Sequence, residues 1–133
     1  MDVHTKEQRS YNMSRVKSEN TKPEKVMFCK LEELNIKFEK HYSVYGKPDI
    51  AFPEKKVAVF IDGEFWHGKD FKTWKDKLSV FWRKKIGDNI SRDRRTTRKL
   101  KEDGWRVIHF WNKKVIRKPD NAIKRLLRFI DSN

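Results

Sequence analysis

The chain has 133 residues, with 33 Lys and Arg against 19 Asp and Glu, a formal net charge of +14 and a pI of about 10.0. That length fits one domain. No apolar run reaches the ~20 residues of a membrane-spanning helix, the polar start (Met1-Asp2-Val3-His4) is not that of a secretory signal, and a single cysteine, Cys29, forms neither an intramolecular disulfide nor, by itself, a thiolate-rich zinc site.

This balance implies a reduced, intracellular protein whose partner is a polyanion, nucleic acid above all. Its 5 Trp, 9 Phe and 3 Tyr give rings enough for a compact core, which a disordered basic tail lacks. In chain order, residues 1–20 are polar and basic without a period and read as an arm, with a helical turn near Met13. A helix is expected over 21–35. Thr21 and Glu24 have the spacing of a capping box, Pro23 falls in the first turn, and Met27, Leu31 and Leu34 repeat at helical spacing. Residues 37–44 read as an edge strand, 49–52 and 57–61 as two more, with turns at Gly46-Lys47-Pro48 and Pro53-Glu54-Lys55. The run 57–61 is apolar without alternation, as in a strand buried on both faces. Residues 63–86 look irregular. A basic helix follows over 86–103 with Ile90, Thr97 and Leu100 inward and Gly104 as its stop. Residues 105–111 form a strand whose Trp105 and Trp111 are assigned to the core. A last helix from Pro119 presents Ile123, Leu126, Leu127 and Ile130. This order predicts a three-layer α/β fold, a mixed central sheet with helices on both faces.

The acids stand out in so basic a chain. Asp49 opens one strand, and Asp62 and Glu64 close the next. Residues i and i+2 of an extended chain share a face, so Asp62 and Glu64 are expected side by side, with Asp49 brought near Asp62 by strand pairing. Such carboxylates repel one another unless a hard cation sits among them, and oxygen ligands suit Mg²⁺. Pro-Asp, a buried apolar strand and then Asp-x-Glu resembles the pattern of metal-dependent nucleases of the restriction-enzyme type, with Glu64 where Lys is usual. His67 follows three residues on, placed to take a proton from an attacking water. Singly, these residues are also ordinary turn and surface residues; the set carries the inference.

Met13-Ser14-Arg15-Val16-Lys17, Thr21-Lys22-Pro23-Glu24, Gly46-Lys47-Pro48-Asp49, Phe65-Trp66-His67-Gly68, Phe81-Trp82-Arg83-Lys84-Lys85-Ile86, Asn89 with Arg92-Asp93-Arg94-Arg95, and Gly104-Trp105-Arg106-Val107 together resemble the very short patch repair (Vsr) endonucleases, over roughly residues 8–112. The resemblance implies a restriction-endonuclease-like α/β/α fold and Mg²⁺-dependent nicking of DNA on the 5′ side of the thymine in a T·G mismatch. It matches Asp49 to the metal-binding aspartate, His67 to the histidine base and Glu24 to the helix-borne glutamate. It also matches Phe65, Trp66, Trp82 and Met13 to the residues pushed into the base stack, where apolar wedges unstack a step at a cost of a few kcal/mol. The family's zinc positions correspond to Glu64, Lys69, Phe71 and roughly Asn112, so no zinc is expected. The family's second histidine is Asp62 here.

Arg83, Lys84 and Lys85, followed by Arg92, Arg94, Arg95 and Arg98 on the basic helix, are expected to contact phosphates. The resulting expectation is an endonuclease in which Asp49 and Asp62, with the Ile61 carbonyl, hold Mg²⁺ (or Mn²⁺), His67 is the base, and Glu24 and Glu64 assist. The alternatives are a homing or restriction-associated nuclease cutting both strands, and a non-catalytic DNA-binding module. A 1–20 arm, a 21–133 nuclease domain, a monomer, nucleoid association, and mismatch-repair or restriction-modification partners complete the expectations.

Overall fold

The computed structural model describes residues 21–65 and 67–132, so the arm with Met13, and Trp66, lie outside the described residues. Helix α1 (Lys22–Glu33) places Met27, Phe28 and Leu31 on one buried stripe. Thr21 takes the N-cap position in extended geometry but makes no side-chain cap bond, so the expected capping box is not formed. Glu24 occupies the stripe itself, three and four residues before Met27 and Phe28, and is turned into the protein. The helix closes with Ile36 N–H on Leu31 O and Asn35 N–H on Glu32 O, and with Asn35 at φ +56°. That is a Schellman stop, tolerated by Asn in the left-handed region.

The sheet has order β1-β2-β3-β4. Strand β1 (Glu39–Lys40) pairs antiparallel with β2 (Ile50–Phe52), β2 antiparallel with β3 (Val57–Asp62), and β3 parallel with β4 (Arg106–Trp111). The edge strand expected over 37–44 shrinks to two residues, since the chain turns at His41 (φ +48°), whose N–H still bonds Asp49 O. Between the strands, residues 53–55 form a 3-10 turn and Lys56 turns at φ +51°.

After β3 the stretch expected to be irregular holds a short helix α2 (Phe71–Trp74) and the start of the long helix α3 (Val80–Glu102). Ser79 caps α3 by accepting from Trp82 N–H at 3.4 Å, so α3 begins six residues before the expected start at 86. Its inward residues are Trp82, Ile86 and Leu100, with Ile90 and Thr97 half-buried. Gly104 ends it at φ +89°, with Trp105 N–H on Leu100 O at 2.9 Å, as the sequence predicts. Strand β4 runs straight into α4 (Asn112–Arg117), a helix the sequence reading lacks, and then α5 (Pro119–Asp131).

One face of the sheet packs Val57, Val59, Ile61, Ile108 and Phe110 against α1, α4 and α5. The other face, from Phe60, Asp62, His109 and Trp111, meets α3. Two helical layers around a mixed sheet are the predicted α/β architecture. Strand alternation in β4 decides the fate of its rings. Trp111 shares the α3 face with His109 and is half-buried, as is Trp105, so neither joins the core cluster they were assigned to. Among the described residues the buried tryptophan is Trp82.

Candidate active site

The four acids singled out in the sequence have different partners. Glu24 reaches the start of β2 from α1 and is 2% exposed. The β2 to β3 pairing sets Asp49 beside the C-terminal end of β3, where Asp49 Oδ2 accepts from Ile61 N–H at 2.7 Å. Ile61, expected to act through its carbonyl, meets Asp49 through its amide. His41 donates its backbone N–H to Asp49 O at 3.1 Å, which draws its ring to the same place. Among the described residues, Glu24, His41 and Asp49 form a group of potential ligands whose donor atoms all lie within 4.8 Å of one another.

The Asp49 carboxyl is pushed up to about 8. Burial is the leading cause, the Ile61 amide opposes it, and the charges of Glu24 and Asp62 with a hydrogen bond to Glu24 add to it. The carboxylates of the site thus repel one another. Two carboxylates and a nitrogen converging in such a place fit a divalent cation, which would relieve that repulsion.

Asp62 lines the cleft beside α3 and is near enough to Asp49 for its charge to raise the Asp49 pKa. Its Oδ2 bonds His109 Nδ1 at 2.8 Å, and His109 Nε2 bonds Thr97 Oγ1 at 3.1 Å. The His109 ring is stacked on Phe60 with centroids 5.1 Å apart. Asp62 Oδ1 lies 3.9 Å from His67 Nδ1. His67 is held by Asp93 of α3, with Nδ1 to Oδ2 at 2.5 Å. The 63–70 loop reaches this point because Gly68, at φ +68°, rests directly on Ile90 and Ile86; a Cβ there would run into Ile90. Burial alone pulls the His67 imidazole down, but the Asp93 hydrogen bond and the charges of Asp62, Asp93 and Asp49 outweigh it. The net result is a pKa above the usual histidine value.

Glu64 does not stand with Asp62. The strand ends at Asp62 and the chain turns, so the i, i+2 alternation that would align them no longer applies. Glu64 Oε2 accepts from Lys113 N–H at 3.0 Å, at the first turn of α4. The other matched zinc positions are also engaged elsewhere or apart from it. Lys69 O accepts from Trp74 Nε1 at 2.8 Å, Phe71 packs edge-on against Trp74, and Asn112 Oδ1 is buried without a hydrogen-bond partner.

His67, Asp93, Asp62 and His109 line a cleft of about 730 Å³ together with Arg94, Arg98, Lys101 and Trp111. Arg94 and Arg98 are thus on the active side of α3. Arg92 and Arg95 are exposed but do not line the cleft. Arg83 and Lys84 are exposed on the first turns of α3, and Lys85 is half-buried with its ammonium 5.9 Å from the centre of the Phe81 ring. Phe65, 40% exposed, stacks on Trp74 at 5.7 Å and meets Trp82 edge-on at 5.4 Å. Trp82, expected with the stacking residues, is 8% exposed and supports Phe65 from beneath.

His41, Asp93, Thr97 and His109 are given no catalytic or binding role by the sequence. Asp93 had a visible signal, a lone acid inside Arg92-Asp93-Arg94-Arg95. His109 had one too, since period-2 alternation puts it on the face opposite Ile108 and Phe110. His41 had none, because only the β1 to β2 pairing brings it to Asp49.

Residues 1–73 match the family model described as DNA mismatch endonuclease Vsr. The chain is 44% identical over 121 residues to the type II nicking enzyme V.NmeDIP of Neisseria meningitidis serogroup C, covering 88% of this chain and 82% of that protein. It is 39% identical over 125 residues to the type II nicking enzyme V.HpaIIP of Haemophilus parainfluenzae, covering 90% and 89%. Against the DNA mismatch endonuclease Vsr of Escherichia coli K12 it is 36% identical over 113 residues, covering 83% and 72%.

Proposed function

The chain belongs to the DNA mismatch endonuclease Vsr family, and on that premise we propose that it is a Mg²⁺-dependent endonuclease that nicks one strand of duplex DNA at a T·G mismatch. The observation that carries this reading is the His67–Asp93 pair, set in an arginine-walled cleft close enough to Asp49 to feel its charge.

Asp93 holds Nδ1 of His67, which leaves Nε2 to accept a proton. Nε2 takes that proton from the attacking water as its oxygen bonds to phosphorus. The P–O3′ bond breaks in line and the departing 3′-oxygen takes a proton from solvent, leaving a 5′-phosphate and a 3′-hydroxyl. Arg94 and Arg98 hold the flanking phosphates, and their cationic charge favours the crowded phosphorane-like state over the ground state. Asp62, fixed by His109, steadies the His67 imidazolium once it forms. Mg²⁺ held by Asp49 and Glu24 would polarise the phosphoryl oxygen and neutralise the leaving oxyanion. Phe65, backed by Trp74 and Trp82, is the exposed ring for entering a weakened base step, with Trp66 and Met13 as its partners in this reading. Glu64 ties the loop to α4 rather than acting on the substrate. Residues 1–20 are the DNA-contacting arm and 21–133 the nuclease domain.

The double-strand alternative is decided by the same assay. Supercoiled plasmid and labelled duplexes carrying matched, T·G or other mismatched pairs are incubated with Mg²⁺. Nicked circles and selective cleavage of the thymine-bearing strand are expected; linear product, or equal cleavage of matched duplex, overturns the reading.

A further inference from the structure

We propose that His41 is a direct ligand of the cation at Asp49, so that the centre is a mixed oxygen and nitrogen site that prefers Mn²⁺ over Mg²⁺. This rests on the reading of Asp49 as a cation ligand and goes beyond it by adding a residue and a metal preference.

The imidazole is delivered by the backbone. Strand β1 stops at Lys40, His41 turns to φ +48°, and its N–H is bonded to Asp49 O at 3.1 Å. Phe28 packs edge-on against the ring at 6.1 Å between centroids, which fixes its plane. Nε2 then lies 3.4 Å from Glu24 Oε2.

That nitrogen is the unusual feature. It is shielded from solvent and has no hydrogen-bond partner, because the approach to Glu24 is misdirected for one. Buried polar atoms are nearly always bonded, and one left alone next to two carboxylates calls for a partner that accepts an electron pair. With donors at about 2.1 Å from an ion, adjacent ligands of an octahedron lie about 3.0 Å apart and opposite ones about 4.2 Å apart. The 3.4 Å between His41 Nε2 and Glu24 Oε2 falls between these two values, and the Asp49 donor lies within 4.8 Å of both, a small adjustment from closing on one ion.

The donor set also selects the metal. Carboxylates and water suit Mg²⁺, which keeps an oxygen shell and sheds water reluctantly, whereas imidazole favours transition ions. Mn²⁺ accepts both donor types. A histidine in the inner sphere therefore tilts the site toward Mn²⁺ without closing it to Mg²⁺.

The test is pulsed electron paramagnetic resonance on the full chain loaded with Mn²⁺ alone, together with Mn²⁺ and Mg²⁺ affinities by calorimetry. Wild type should show modulation from a directly bonded ¹⁴N and a Mn²⁺ preference of about tenfold or more. His41→Gln should bind Mn²⁺ more weakly and lose the nitrogen signal. His41→Asp restores an oxygen donor, so it should keep binding, lack the nitrogen signal and bring the Mn²⁺ to Mg²⁺ ratio to within about threefold. The aspartate variant carries the test if the glutamine variant does not fold by circular dichroism. Mn²⁺ bound without ¹⁴N modulation in wild type, or modulation that survives in either variant, overturns the role of His41 and leaves the Asp49 site standing. Binding that is equal in wild type and Asp49→Asn overturns both.

Discussion

Replacing Asp49 by Asn isolates the electrostatics of the centre. The native carboxyl titrates near 8, against 3.8 when free, chiefly because it is buried, with Glu24 and Asp62 adding their charges. An acid whose pKa is raised by folding favours the fold fully below its unfolded pKa, and that contribution is lost as pH climbs through the folded value. The metal-free protein should therefore lose stability between about pH 4 and about pH 8. At about 1.4 kcal/mol per pKa unit, the roughly four units give a ceiling of about 6 kcal/mol; proton sharing with Glu24 and local relaxation reduce it to about 2–4 kcal/mol. Asn has nearly the same shape, can still accept from Ile61 N–H through Oδ1, and carries no charge. Urea unfolding in EDTA at about pH 5, 7 and 9 should show wild type falling against Asp49→Asn by about 2–4 kcal/mol. Adding Mg²⁺ to about a hundred times its Kd should return about 2.7 kcal/mol to wild type and none to the variant. A difference between the two proteins that is constant across pH, or equal stabilisation of both by Mg²⁺, refutes the reasoning.

Four further outcomes are expected. His67→Ala should lower the nicking rate about 10²–10⁴-fold, while filter binding to the same duplex stays within about twofold; unimpaired cleavage removes His67 from the base role. Asp93→Asn takes away the negative charge that strengthens the His67 hydrogen bond and raises its pKa, so the acidic limb of the nicking rate against pH should move to lower pH as the maximum falls. An unmoved limb means that another group titrates. With about 6–8 phosphates neutralised, the logarithm of the DNA association constant should fall against log salt with a slope of about −5 to −7, and a slope near zero contradicts duplex binding by the basic helix. Arg106 donates to the carbonyls of Phe129, Ile130 and Ser132 at the end of α5. Arg106→Ala should thus cost about 1–3 kcal/mol in urea unfolding with no change in nicking per folded molecule.

Local signals carried much of the architecture. Gly104 stops α3, Pro23 opens α1, and an unbroken apolar run marks β3 as the central strand, because propensity and turn chemistry act within a few residues. Where a local signal was overruled, a tertiary demand explains it. Thr21 and Glu24 have the spacing of a capping box, yet Glu24 sits on the same helical stripe as Met27 and Phe28 and is drawn to Asp49 instead. The Ser79 cap lengthens α3 into a stretch that composition alone had marked as loop. Trp82 and Trp111 exchange expected places, since burial depends on which face of α3 or β4 each ring lands on.

The sequence by itself determined that this is a basic α/β chain built around a few buried acids, and it singled out Asp49, Asp62, Glu24 and His67. Their grouping was decided only by tertiary structure. Strand pairing joins Asp49 to His41 across β1 and β2, helix α3 brings Asp93 to His67 from 26 residues away, and β4 brings His109 to Asp62 from 47 residues away. Such contacts come from register and packing between elements distant along the chain, and no periodicity within one element encodes them. Glu64 lies past the end of β3, where strand alternation no longer holds, and accepts from Lys113 N–H instead.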